Sequence, residues 1–433
     1  MSARSPREGA ARDETQRSEA PQQSRPDNSV SARSPREGAA KKTTIRWAIG
    51  AVLVAIAAII PFLENRAIPY VFDGEIASPG VLNLLALMLV FGALAMTYDL
   101  LFGYTGLLSF GHALYFALGA YGTVVVMDAF SFGLVGAIAL VIVAGVILPL
   151  LIGWVCLRVK GIAFAMVTLA FAQAGAIFVA RDPFNFTGGD LGLAVPFEQL
   201  PESLVGVANT RNVYWVALAL VVVVFVVARL AVSSPTGRVW QAIRENEQRV
   251  TVLGLNPTTY KLVVFVLASF LASLCGVVYV LVTGGAHPGI IHATFTLTLL
   301  VMVVLGGAGR LWGALLGGML YTYLEHRLGE LSTTSGVQEL PAVIRVPMSE
   351  PLVILGTLFV LIVMFFPGGI AGGLTGGRGA LRRRRNRDRP PGGGTTTTQA
   401  SGRDDGPDGQ RDDRGTKDTG TDDPSAVSTG MER

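Results

Sequence analysis

The chain contains ten apolar runs, most of them about as long as a membrane-crossing helix, and this pattern constrains the fold more than any other feature. A helix needs roughly 20 apolar residues to cross a bilayer. Only 15% of the residues are charged, whereas an ordinary soluble domain has roughly 25%. We therefore predict an all-α polytopic membrane protein with about ten transmembrane helices. The runs lie at 47–63, 80–102, 107–127, 131–157, 161–180, 212–231, 260–283, 290–305, 311–324 and 351–367.

The runs at 290–305 and 311–324 are short, and glycines including Gly306 and Gly307 interrupt their join. They are either two tilted helices or a re-entrant hairpin that packs inside the protein, where irregular backbone is tolerated at membrane depth. The second alternative reduces the prediction to eight spans. Both place the two chain ends on the same side.

The distribution of Lys and Arg predicts that this side is the cytoplasm. Short cytoplasmic loops of membrane proteins carry an excess of basic residues. With the N-terminus inside, the inner loops hold Arg158, Lys160, Arg229, Arg238, Arg244, Arg249, Lys261 and Arg310. The outer loops are longer and hold Arg66, Arg181, Arg211, Arg327 and Arg345.

Two polar tails flank the transmembrane domain, which we place at 47–375. Residues 1–46 have few large apolar side chains and contain the decapeptide SARSPREGAA twice, so we predict a disordered cytoplasmic tail. Residues 376–433 begin with an arginine cluster and continue with Gly, Thr and Asp. We predict that this tail is also disordered and cytoplasmic, and that its cluster contacts anionic membrane lipid. The net charge of +4 belongs to tails and inner loops and does not indicate nucleic-acid binding.

A charged stretch at 233–257, SSPTGRVWQAIRENEQRVTVLGLNP, separates two of the apolar runs. Ser234 followed by Pro235 is typical of a helix start, and Gly254 of a helix end. Apolar side chains fall on one side of the predicted helix, at Val239, Ile243, Val250 and Leu253. Such an amphipathic helix either lies on the membrane surface as a linker or is presented to a partner.

The stretch at 99–121, DLLFGYTGLLSFGHALYFALGAY, has far more glycine than helix propensity favours. Small residues allow helices to approach closely, and glycines can also interrupt a helix beside a translocation pathway. Ionisable groups near membrane depth are candidates for function. For the imidazole of His112, the structural alternative to a function is a hydrogen bond to a carbonyl or to Ser109. Asp99 is expected to be solvated or paired at a helix end. The candidates here are Gly103, Tyr104, Gly106, Ser109, Gly111 and His112.

Two further features lie between 158 and 192. Gln173 is a single strongly polar side chain in its run, and it forms either an interhelical hydrogen bond or part of the pathway. Thr187, Gly188 and Gly189 predict an outer turn, with or without a gating role.

Nothing in the sequence indicates catalysis. Motifs of the types GxxxxGK[ST], HExxH and GxSxG do not occur. Two cysteines and four histidines are scattered without metal-ligand spacing. We expect no enzyme activity, no metal and no cofactor in this chain.

Four segments together resemble the LivM-type permease subunits of branched-chain amino acid ABC importers. They are GYTGLLSFGHALYFALGAY at 103–121, RVKGIAFAMVTLAFAQ with FTGGDLGL at 158–193, TGRVWQAIRENEQRVTVLGLN at 236–256, and VMVVLGGAGRLWGALLG at 301–317. With the run ending MFFPGGI they extend over nearly all of residues 80–370.

The resemblance implies an ABC importer permease bundle in the plasma membrane. It implies three partners: a second permease subunit, a cytoplasmic ATPase dimer that binds the ATP, and an extracytoplasmic substrate-binding protein. Stretch 233–257 would be the ATPase-coupling loop, with Val239, Trp240 and Ile243 as apolar anchors, and replacing Arg244 and Glu245 with Ala is expected to reduce coupled transport. The family motif covers Gly237, Arg238, Trp240, Ile243, Arg244, Glu245, Asn246, Glu247 and Gly254.

The resemblance also defines alternatives. Asp99 stands where amino acid permeases often carry Asn, and a carboxylate there resembles the related urea permeases. A permease for urea or short-chain amides is therefore the alternative substrate class. A stand-alone channel or ion-coupled carrier is the alternative from a different class of protein.

Overall fold

The structure, a computed structural model, describes residues 50, 52–62, 77–332, 351–365 and 368–372. The predicted tails at 1–46 and 376–433 lie outside these residues. Within them the regular secondary structure is helical, as predicted, apart from a short antiparallel ribbon in which Leu193 of β1 pairs with Ala286 of β2. The elements are α1 (Val52–Phe62), α2 (Pro79–Asp99), α3 (His112–Phe130), α4 (Leu134–Cys156), α5 (Ile162–Arg181), β1 (Leu193–Ala194), α6 (Thr210–Ser233), α7 (Pro235–Glu245), α8 (Glu247–Val252), α9 (Pro257–Thr283), β2 (Gly285–Ala286), α10 (Ala293–Gly306), α11 (Leu311–Ser332) and α12 (Pro351–Phe365).

Each of the ten predicted runs coincides with a helix, but fewer helices reach the length of a span. Among the described residues, six are long and apolar enough to cross a membrane: α2, α3, α4, α5, α6 and α9. The number rises to seven if α10 and α11 together count as one span. The polytopic character is therefore confirmed, whereas a count of ten remains a prediction.

α10 and α11 meet at a bend of 120°. Gly307 and Gly309 turn the chain there with φ of 106° and 81°, values that side chains other than glycine rarely adopt. The 14 residues of α10 extend roughly 21 Å, less than the roughly 30 Å of a bilayer core. Both the tilted pair and the re-entrant hairpin contain such a turn, so the choice between ten and eight spans stays open.

The loops separate into two ends of the bundle. At one end, the loop that carries α7 and α8 contacts the C-terminal side of α2, the loop before α5, and the start of α9. At the other end, the ribbon joins the loop after α5 to the loop after α9. The loop before α5 and the loop after it thus lie at opposite ends of the bundle, in agreement with the order of crossings predicted from the apolar runs.

α2, α3 and α9 form the interior of the bundle, and small residues bring their backbones together. A Cβ atom added at Gly276 of α9 would lie 2.1 Å from the carbonyl oxygen of Phe116 in α3. A Cβ atom at Gly318 of α11 would lie 2.7 Å from the carbonyl oxygen of Phe91 in α2. By contrast, only 28% of the apolar window of α4 and 33% of that of α5 is buried, so both helices present most of their surface outward.

Candidate functional site

The charged loop forms two short helices rather than the single predicted one. The predicted start is confirmed: Ser234 Oγ accepts a hydrogen bond of 3.1 Å from the backbone NH of Gly237, and Pro235 is the first residue of α7. The break falls at Asn246, which has an extended backbone and whose Oδ1 accepts 3.1 Å from the NH of Arg249. Because Asn side chains compete for backbone donors, Asn246 ends one helix and caps the next.

One side of α7 is buried within this chain. The Trp240 side chain is 1% exposed, and its Nε1 donates a hydrogen bond of 2.9 Å to the carbonyl oxygen of Tyr260. Ile243 is also buried, and a Cβ atom at Gly237 would lie 2.3 Å from the carbonyl oxygen of Val232. The prediction that Trp240 and Ile243 anchor a partner protein is therefore wrong, since both anchor α7 to its own bundle.

The apolar residues at the exposed surface of the loop are different ones. Leu253, predicted to share an apolar face with Val250, is 78% exposed whereas Val250 is buried, and Val252 is 87% exposed. The break at Asn246 resets the helical phase, which is why the face inferred from one continuous helix fails. Gly254 then ends the segment with φ of 82°. Arg238, Glu245 and Arg249 of the same loop are also exposed.

Glu247 fastens the loop to two transmembrane elements. Its carboxylate lies 2.7 Å from Lys261 Nζ at the start of α9 and 3.3 Å from Lys160 Nζ before α5. Partial burial acts to raise the pKa of Glu247, but the hydrogen bonds and charges of the two lysines outweigh it and hold that pKa below its usual value.

Arg244 connects the same loop to the end of α2. Beyond α2 the chain forms a π-helical turn, Leu100–Thr105, which ends at Gly106 with φ of 76°. Nη1 of Arg244 donates a hydrogen bond to the carbonyl oxygen of Gly103 in this turn. A cavity of about 420 Å³ adjoins the contact, and its lining includes Lys160, Lys261 and Glu247.

Asp99 lies next to this contact and is fully buried, so of the two predicted alternatives, solvated or paired at a helix end, the solvated one is wrong. Its Oδ1 accepts a hydrogen bond of 2.7 Å from the NH of Gly309, in the turn between α10 and α11. Among the described residues, Oδ2 has no hydrogen-bond partner. A side chain at Gly103 would collide with both Asp99 and Gly309, so glycine is required for the approach of these segments.

His112 begins α3 inside the bundle. Its Nε2 lies 2.9 Å from Thr97 Oγ1, and that hydroxyl donates its proton to the carbonyl oxygen of Leu94 at 2.7 Å. Nε2 must therefore carry the imidazole proton and donate it. The predicted partners were a carbonyl or Ser109, whereas Ser109 Oγ instead accepts from the NH of Gly111. Among the described residues, Nδ1 of His112 has no hydrogen-bond partner.

Two threonines that the sequence interpretation missed complete this polar core. The NH of Phe110 donates to Thr168 Oγ1 of α5 and the NH of Ala113 donates to Thr296 Oγ1 of α10, each at 3.1 Å. Both satisfy backbone donors at the start of α3, where the helix itself provides no acceptors. Single threonines within apolar runs are the signal that could have suggested them.

The remaining predicted residues lie apart from these clusters. Gln173 is exposed on α5 and makes no hydrogen bond to any described residue, so it forms no interhelical bond within the described part of the chain. Tyr104 is half-buried in the π-helical turn. Gly306 and Gly307 pack against backbone, since added Cβ atoms would approach the carbonyl oxygens of Gly313 and Gly368.

Thr187, Gly188 and Gly189 lie at the opposite end of the bundle, in a turn organised by Asp182. The carboxylate of Asp182 accepts backbone hydrogen bonds of 2.8, 2.9 and 3.0 Å from residues 186, 187 and 188. These bonds, led by the one from Thr187, lower the pKa of Asp182. The predicted turn is present, and Asp182 is its missed organiser.

Comparison with known proteins identifies the family of the bundle. The family described as "Branched-chain amino acid transport system / permease component" matches residues 80–366. The chain belongs to this permease family. The family is one of transporters, consistent with the expectation of no enzyme activity.

Several relatives of this permease are known by name. The high-affinity branched-chain amino acid transport permease LivM of Salmonella typhimurium is 25% identical over 345 residues, covering 73% of each chain. A probable LivM of Methanocaldococcus jannaschii is 23% identical and covers 53% of this chain and 76% of its own length. The LivH permease of Salmonella typhimurium is 24% identical over 54% of this chain and 80% of its own. No solved structure matches the chain significantly.

Within this permease, most of the predicted site residues fall into three groups. The loop residues 237–254 meet Gly103 and Gly106 at one end of the bundle. Ser109, Gly111 and His112 belong to the buried polar core. Residues 187–189 lie at the other end. No group of His, Cys, Asp and Glu in the described part of the chain is arranged to hold a metal ion.

Proposed function

We propose that this permease is the membrane-spanning subunit of an ABC importer that moves branched-chain amino acids across the plasma membrane. The observation that carries this proposal is the family match over residues 80–366. The names of the LivM and LivH relatives support the substrate class. The transport is powered by ATP that a separate subunit binds.

The surface of the α7–α8 loop supports a cytoplasmic ATPase dimer as the first partner. Two exposed apolar side chains, Val252 and Leu253, belong to the same loop as the exposed charges of Arg238, Glu245 and Arg249. An apolar centre with a polar rim is the usual composition of a protein interface. The proposed topology has ten spans and both termini in the cytoplasm, which places this loop on the ATPase side.

The outward faces of α4 and α5 support a second permease subunit as the next partner. Gln173 is an amide exposed on a spanning helix without a partner in the described chain, and an unsatisfied amide is costly in lipid. A pathway between two permeases would satisfy it with substrate, water or the partner. The opposite end, with the turn at 182–194, would receive the extracytoplasmic substrate-binding protein.

The test is affinity purification of the tagged full-length chain from membranes, combined with uptake of radiolabelled leucine and, separately, urea. We expect an ATPase and a second permease to co-purify, and ATP-dependent leucine uptake. Val252→Ser with Leu253→Ser should abolish ATPase recovery, whereas Leu191→Ser, an equally exposed apolar position at the other end, should not.

Three outcomes would contradict the proposal. Uptake of urea but not leucine would move the substrate to the alternative class. Recovery of the chain alone, with uptake driven by an ion gradient, would establish a stand-alone carrier. Full recovery of the ATPase with the Val252 and Leu253 variant would refute the docking surface.

A further inference from the structure

The polar residues of the α7–α8 loop divide into two sets that the sequence motif does not distinguish. Arg244 and Glu247 bond to the transmembrane part of the same chain. Glu245, the neighbour of Arg244, is exposed as Arg244 is, but it forms no bond to any described residue. Arg244 and Glu245, which are adjacent in α7, therefore have different roles.

The Arg244 contact joins the loop to the place where α2 loses its regular helix. Its guanidinium donates to the carbonyl oxygen of Gly103 in the π-helical turn. Such turns interrupt the regular hydrogen-bond ladder and occur frequently at functional sites. The loop therefore holds α2 at its irregular turn and not along its regular part.

The same guanidinium also reaches the turn between α10 and α11. A Cβ atom added at Gly309 would lie 3.0 Å from Nη1 of Arg244. The NH of Gly309 is bonded to the buried carboxylate of Asp99, and both this carboxylate and the guanidinium of Arg244 approach Gly103. One cation thus faces the ends of three elements: α2, the π-helical turn and the 120° turn.

We propose that Arg244 is a positioning residue that transmits movement of α7 to the helix break at 100–105 and to the α10–α11 turn, with Asp99 as its counter-charge. This inference rests on the proposed function. Arg244 does not contact the ATPase. The ATPase docks on the loop residues that make no bond to the transmembrane part, which include Glu245. When the ATPase moves α7, the guanidinium displaces the carbonyl of Gly103 and the Asp99–Gly309 pair together.

If Asp99 is the counter-charge of Arg244, a substitution of Asp99 should compensate for a substitution of Arg244. Arg244→Gln leaves the buried Asp99 carboxylate without its nearby cation, and an uncompensated buried charge is costly. Asp99→Asn removes that charge while keeping an oxygen that can accept from Gly309. Asp99→Asn should therefore restore the leucine uptake that Arg244→Gln reduces.

The experiment uses the tagged full-length chain in native membranes, with three readouts: abundance, co-purified ATPase and leucine uptake. For Arg244→Gln we expect ATPase recovery to stay normal and uptake to fall about tenfold, as expected for the loss of a coupling energy. The double variant with Asp99→Asn should regain most of the uptake. The matched control, Glu245→Gln, should weaken ATPase recovery.

Each other outcome is decisive. Loss of the ATPase from Arg244→Gln would place Arg244 on the docking surface, and unchanged uptake would show that it transmits nothing. If Arg244→Gln does not accumulate, the double variant must accumulate and transport, or the proposal is overturned. Failure to recover any ATPase with the unaltered chain would refute the proposed function instead.

Discussion

A methyl group added at Gly119 tests how closely α3 packs on α9. The added Cβ atom would lie 1.9 Å from the carbonyl oxygen of Ser273 and 2.6 Å from its carbonyl carbon, whereas real contacts almost never fall below 3.0 Å. The obstacle is backbone, which cannot rotate away as a side chain can. The two helices must therefore separate locally by about 1 Å for Gly119→Ala to fit.

The cost follows from two opposing effects. Overpacking a close contact costs about 1–3 kcal/mol. Replacing glycine with alanine inside a helix returns about 1 kcal/mol through helix propensity. Because the backbone contact lies at the severe end of overpacking, we expect Gly119→Ala to lower the free energy of unfolding by about 1–2 kcal/mol.

Gly122, one turn further along α3, is the matched control. An added Cβ atom there meets only a terminal methyl group of Val141, at 3.3 Å, so Gly122→Ala should be neutral or slightly stabilising. Unfolding of both variants is measured in one detergent under identical conditions. Equal stability of the two variants would refute the close packing of α3 on α9.

Two further predictions concern the ends of the bundle. Asp182→Ala should increase hydrogen exchange at the amides of 186–188 by about tenfold, because each loses a charged acceptor, while Asp190→Ala, an exposed acid in the same loop, should not; unchanged exchange would exclude Asp182 as the organiser. For Glu247 the folded pKa lies below the unfolded value of 4.5, so its contribution is present above pH 4.5 and is lost as the pH falls through the folded pKa. The stability advantage of the unaltered chain over Glu247→Gln should therefore shrink below pH 4.5, and a pH-independent advantage would contradict this ion-pair account.

The sequence predicted the position of every helix in the apolar runs because length and hydropathy alone define a membrane-spanning segment. It could not define the count of spans, since a bend such as the one at Gly307 and Gly309 changes how runs pair without changing their composition. The start of α7 was predictable because Ser234 and Pro235 act locally. The break at Asn246 also acts locally, but a continuous amphipathic pattern concealed it.

The candidate site was less predictable because its contacts join residues far apart in the chain. Arg244 bonds to Gly103, 141 residues away, and Asp99 to Gly309, 210 residues away. The family resemblance assigned Trp240 to a partner surface, yet its indole is buried within this chain. Whether an amphipathic face covers its own protein or a partner depends on what packs against it, and a single sequence does not contain that information.

The distribution of close contacts determines where movement can enter the bundle. α3 and α9 meet backbone to backbone at Gly119 and Gly276, so they cannot slide without steric collisions along the whole contact. The π-helical turn and the α10–α11 turn are instead held by charged hydrogen bonds from Arg244 and Asp99, each worth about 1.5–3 kcal/mol. Such bonds can break and reform within the energy that the proposed ATPase partner would provide. Movement of the loop should therefore bend the chain at residues 100–105 and 307–310 while α3 and α9 stay together as a rigid pair.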